Sequence, residues 1–162
     1  MEQPREKQGG ERMDGGTFSK VEKSSKAMYG PRRILACGYT LDEQTGFCYV
    51  LRKIQLEDIP VKFLGDADGS RTLKTILEEA ETGVTEHSSL RRAVIMSGLT
   101  QAELHGLISS HRESELPYPL WASLTPVSET WLLKDLLEAM AQEAMAMKQR
   151  RETAAANTAK QT

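Results

Sequence analysis

The chain has 162 residues, 39% of them apolar and 27% charged, and a formal net charge of −2. That length suits one domain with tails, large enough to bury about two-thirds of the surface its unfolded chain would expose. Charge so close to balance gives no broad basic field for nucleic acid or an anionic membrane, and no run of about 18 apolar residues offers a transmembrane helix.

In chain order, residues 1–30 hold few large apolar side chains (Met13, Phe18, Val21, Met28) among mixed charges, Gly and Ser. Such a segment cannot offset its ordering entropy by burial, which predicts a disordered tail. It lacks the apolar core of a signal peptide, so a cytoplasmic protein is expected. The run Arg33 to Cys37, ending at Gly38, predicts a buried strand. Phe47, Val50, Leu51 and Ile54 then recur at helical spacing over 41–55. A second strand is expected at 60–64, opening on Pro60, and a second helix at 71–80 with Leu73, Ile76 and Leu77 inward. The series then starts again, with a strand at 93–96, a helix at 101–113, a strand at 120–124 and a long helix from Glu129. Residues 151–162, rich in Ala, Thr and Gln, predict a flexible tail.

Sliding the chain by sixty positions pairs residues 32–80 with 92–140 without a gap, and twelve of those 49 pairs are identical. About three would match by chance, so this is an internal repeat. The identities include Arg32/Arg92, Gly38/Gly98, Thr40/Thr100, Glu43/Glu103, Gly46/Gly106 and Leu77/Leu137. One strand–helix–strand unit leaves its two strands parallel and a sheet face bare. The expected fold is therefore α/β: two tandem β-α-β-α repeats within residues 31–150, forming a four-stranded, at least partly parallel sheet with helices packed on it. The direction in which the halves meet is not readable from sequence.

Two shared loops are candidate ligand sites. Gly38 and Thr40, like Gly98 and Thr100, stand where a strand feeds a helix N-terminus, a place suited to phosphate or another anion. Threonine followed three residues later by glutamate is also a capping box, which uses the same N–H groups. Neither loop carries G-x-G-x-x-G or a P-loop lysine.

The run Leu64-Gly65-Asp66-Ala67-Asp68-Gly69-Ser70 resembles the nucleophile motif of haloacid-dehalogenase-type phosphatases, which makes Asp66 and Asp68 candidate catalytic carboxylates. The aligned loop of the second half, Thr125 to Thr130, has neither aspartate, and Asp68 and Ser128 both fall where a cap before a helix is needed. His87, His105 and His111 show no metal-ligand spacing, and Cys37 and Cys48 read as small buried hydrophobes. No motif calls for a metal or a cofactor. Trp131 and Ser128, at the start of the last helix, are candidate ligand contacts. The Met- and Ala-rich stretch past Met140 is a candidate contact surface.

Met96-Ser97-Gly98-Leu99 together with Leu120-Trp121-Ala122-Ser123-Leu124-Thr125-Pro126, Ser128 and Trp131-Leu132-Leu133 resembles a small bacterial family, domain of unknown function 3783, over roughly residues 92–145. Ser128 departs from that pattern, where asparagine is common. The resemblance implies a bacterial cytoplasmic protein and transfers no catalytic residue. The reading that results is a non-catalytic binding or regulatory module that self-associates, or meets a protein partner, through its last helix. Phosphoryl transfer at Asp66 and Asp68, or a small metabolite or nucleotide at the Gly38 and Gly98 loops, are the alternatives.

Overall fold

A computed structural model describes residues 26–79 and 88–161, with side chains described up to Thr158. Most of the tail expected over 1–30, namely residues 1–25, and His87 lie outside the described residues. Four strands, β1 (Arg33–Cys37), β2 (Val61–Leu64), β3 (Ala93–Ser97) and β4 (Leu120–Ser123), alternate with four helices. These are α1 (Leu41–Lys53), α2 (Leu73–Glu78), α3 (Gln101–Glu113) and α4 (Leu133–Gln161).

The sheet runs in the order β2-β1-β3-β4. β1 is parallel to β2 and β3 to β4, while the two inner strands are antiparallel. The halves therefore meet in opposite directions, which the sequence left open. Every residue of β1 and β3 is buried, as continuous apolar runs covered on both faces should be. Ile34, Ala36, Val94 and Met96 point to one face and pack with Phe47, Leu51 and Leu107 of α1 and α3. Leu35, Cys37, Ala93 and Ile95 point to the other and pack with Leu73, Ile76, Leu133 and Leu137 of α2 and α4. The alternation of period 2 along each strand thus divides the core into two layers, one on each side of the sheet.

The central ladder pairs Leu35 with Ile95, Ile34 with Met96 and Ala36 with Val94. Leu35 and Ile95 are sixty positions apart, so the pairing is symmetric about that point. The same relation recurs at the bridge between Thr72 and Leu132, flanked by Leu73 N–H to the Trp131 carbonyl at 3.0 Å and Leu133 N–H to the Arg71 carbonyl at 2.9 Å.

Several boundaries differ from expectation. Residues 27–29 are not free tail: Met28 N–H donates to the Leu99 carbonyl and Gly98 N–H to that of Tyr29. The last helix starts at Leu133 instead of Glu129, because a 3-10 turn (Ser128–Thr130) precedes it, as one at Asp66–Ser70 precedes α2. At the other end α4 runs on to Gln161, where a flexible tail was expected, since Ala154, Ala155 and Ala156 are strong helix formers. Cys48 is exposed, not buried, whereas Cys37 is buried. Burial, with a smaller contribution from Asp68, pushes the Cys37 thiol up to about 12.

Candidate functional site

The two capping boxes form as the spacing requires. Thr40 Oγ1 accepts from Glu43 N–H at 3.2 Å while Thr40 N–H donates to Glu43 Oε1 at 2.9 Å. The second box, Thr100 with Glu103, repeats this at 3.1 and 3.0 Å. Each capping glutamate also takes an arginine from the other half. Arg92 donates to Glu43 at 2.7 Å, and Arg32 grips Glu103 with both nitrogens at 2.7 and 2.8 Å. Partial burial pushes the Glu43 carboxyl up, but the bonds from Arg92 and Thr40 together hold it below its ordinary range. The Arg32 bond, working against partial burial, does the same for Glu103.

Gly38 and Gly98 have φ of +79° and +70°, a region costly for any side chain. A Cβ at Gly38 would lie 2.8 Å from the Leu90 carbonyl oxygen, and one at Gly98 would lie 2.6 Å from that of Gly30. Each turn is roofed by backbone of the other half. The structure thus places Gly38, Thr40, Gly98 and Thr100 at helix starts where the N–H groups of Thr40, Glu43, Thr100 and Glu103 are engaged within the chain.

Asp66 accepts from the Ser89 N–H at 2.6 Å and the Ser89 hydroxyl at 3.1 Å. Asp68 accepts from Gly65 N–H at 2.9 Å and from Arg71 at 2.9 Å. Arg71 also binds Glu79, which binds Lys62; Arg71 first and Lys62 second hold the Glu79 carboxyl down at about 2. Ser128 does for the second half what Asp68 does for the first: its hydroxyl accepts from Thr125 N–H at 3.0 Å while its own N–H donates to Thr125 Oγ1 at 3.0 Å. Both residues close the 3-10 turn; the cap of α2 itself is Thr72, which accepts from Thr75 N–H, a correction to the cap expected at Asp68. Among the described residues no three His, Cys, Asp or Glu side chains gather as a metal site would require.

Sequence reasoning missed His111. It is fully buried, with Tyr39 Oη 3.0 Å from its Nε2, inside a run of edge-on ring contacts with Phe47, Tyr118 and Trp121. A signal was present: the shift of sixty sets His111 opposite Leu51, a core leucine.

The remaining place is α4. Its first turns are buried at Leu133, Leu136 and Leu137, but from Met145 to Thr158 every residue is exposed. Met145 and Met147 are 60% and 50% exposed. Beside them a groove along the outer strand β4 is lined by Trp121, Trp131, Met140, Ala144 and Met147. On the opposite flank a groove of about 670 Å³ runs from Leu90 past Leu137, Ala141 and Met145. Of the sequence candidates, Trp131 and Ser128 are brought to this surface; Asp66, Asp68 and the glycine turns are not.

Residues 92–147 match the model of a domain of unknown function, DUF3783. The DUF3783 segment is the second half of the alternating series, from the residue before β3 to the middle of α4. It includes His111, Trp121, Trp131 and the first exposed turn of α4. No curated protein and no solved structure matches the chain. Among the described residues no helix is long and apolar enough to cross a membrane.

Proposed function

We propose that this protein is a binding module without chemistry of its own, and that its contact surface is the projecting half of α4 with the groove beside β4. The observation that carries this reading is the run of fourteen exposed helical residues from Met145 to Thr158. Fourteen residues span about 20 Å at 1.5 Å per residue. A helix of about that length is marginal in water without packing, so a segment of this kind is completed by something that docks on it. Methionine suits such a role, being unbranched, polarisable and able to fill irregular gaps. Trp131, 39% exposed at the groove, supplies a large apolar anchor with a polar edge. The carboxylates of Asp66 and Asp68 accept bonds that hold loops, and the capping boxes take up the N–H groups of Thr40, Glu43, Thr100 and Glu103, which supports contact over catalysis. The unpaired thiols of Cys37 and Cys48 suit a reducing, cytoplasmic setting.

Amide hydrogen exchange on the full chain tests the reading. In dilute, monomeric protein, amides of residues 146–158 should exchange far faster than those of 133–144. Strong protection of 146–158 in a demonstrated monomer would show a self-sufficient helix and sink the proposal.

A further inference from the structure

We infer that the occupant of the α4 surface is α4 of a second copy of this chain, lying antiparallel to it. The inference rests on reading α4 as the contact surface and adds the identity of the partner. Its basis is the charge pattern along the helix. The first half carries Asp135, Glu138 and Glu143 against Lys134 alone; the second carries Lys148, Arg150, Arg151 and Lys160 against Glu152. Reversed end for end, the helix is its own electrostatic complement. Met140, Glu143, Ala144, Met147, Arg150 and Arg151 lie on one stripe of the helix, and an antiparallel crossing centred on Met147 sets Glu143 of each copy level with Arg151 of the other, whereas parallel helices would oppose like charges.

The helix dipole also favours acids early and bases late, but that effect fades within the first and last turns. Glu143 and Lys148 sit in the middle, where the dipole does not account for them. None of Glu143, Lys148 or Arg151 makes an ion pair among the described residues, so these charges are free to be matched across an interface. At the centre, Met147 provides apolar volume, and Ala144 and Ala154 on the same stripe permit close approach of two backbones. An antiparallel pair of identical helices is an isologous contact, which closes at two copies and leaves no open end.

Sedimentation velocity on the full-length protein provides the test. Wild type should dimerise reversibly at micromolar concentration, and more weakly at high salt. Glu143→Lys should weaken dimerisation at least about tenfold, and Arg151→Glu should do the same. An equimolar mixture of the two charge-reversed proteins should recover dimers. Both sites are exposed, and circular dichroism checks that each variant is folded. Met147→Glu, which leaves the charge pattern outside the centre intact, should also weaken the dimer. Wild type that stays monomeric at hundreds of micromolar (about the weakest range for specific self-association) overturns the second copy. If residues 146–158 are then unprotected, the contact reading survives; if they are protected in that monomer, both fall. A dimer indifferent to both charge reversals overturns the antiparallel pairing.

Discussion

His111 holds its place in the core as a neutral ring. Burial pushes its pKa below the ordinary 6.5, with the Arg92 charge acting in the same direction. The unfolded chain therefore takes up a proton as pH falls through 6.5 while the native state does not, and stability must fall over that interval until the native pKa is reached. Above 6.5 this contribution is fully present. Denaturant melts at pH 8, 7, 6 and 5 should show the loss (these values bracket the ordinary histidine pKa of about 6.5). His111→Phe should remove most of that slope, at a cost of about 1–3 kcal/mol for the Tyr39 hydroxyl left without its partner. The carboxylates act in a different window. Glu43, Glu103 and Glu79 are all held below 4.5, so what they contribute is present above that pH and lost below it. At Glu43 two roles can be separated. Glu43→Gln keeps a cap and loses the charge pair with Arg92, for about 0.5–1 kcal/mol. Glu43→Ala loses both and should cost about 1 kcal/mol more, read from the same denaturant melts.

At the scale of the element, glycines shared by the two halves do opposite things. Gly98 turns β3 into α3 with positive φ, under the backbone of residues 30–32. Gly98→Ala must both adopt a disfavoured φ and push that backbone away, and should destabilise by about 2 kcal/mol or more. Gly106 sits inside α3, and a Cβ there would meet nothing within 4 Å. Gly106→Ala should stabilise by about 0.5–1 kcal/mol, because alanine has fewer unfolded conformations to lose and a better helix propensity. Thermal melts of the two variants, moving in opposite directions, check this. Identity between halves therefore marks a fold requirement at both turns, while in the helices Gly106 faces open space and a Cβ at its counterpart Gly46 would lie 3.1 Å from Leu116 Cδ2.

For the whole molecule, the symmetric ladder and the reciprocal arginine–glutamate pairs have a consequence for the second half alone. Residues 88–146 contain β3, Arg92 and Glu103, the complementary parts of the interface they make with the first half. Two copies of this fragment can pair β3 with β3 about Ile95 and exchange Arg92–Glu103 bonds in both directions. Light scattering on the fragment should therefore show a dimer, with no folded monomer at concentrations where it dissociates. Ending at residue 146 removes most of the projecting part of α4, so this association is distinct from the one through that helix. A folded monomer of the fragment would show that the central ladder is not needed to complete its core.

The sequence by itself determined the order and kind of the eight elements, both capping boxes, both glycine turns and the relation at sixty residues. These follow from local causes: apolar period, a threonine and glutamate three apart, and the backbone freedom of glycine. The tertiary structure decided the antiparallel meeting of β1 and β3, because either direction buries the same apolar runs and only packing of both layers distinguishes them. It also decided that His111 is core and Cys48 surface, since a helix has several faces and the sheet chooses which one it covers. The start of α4 at Leu133 came from the 3-10 turn that Ser128 closes with Thr125, a contact no propensity reveals. The sequence showed that helix to be rich in methionine and alanine. Only the edge of the sheet, ending where it does, leaves the half beyond Met145 without anything among the described residues to pack against.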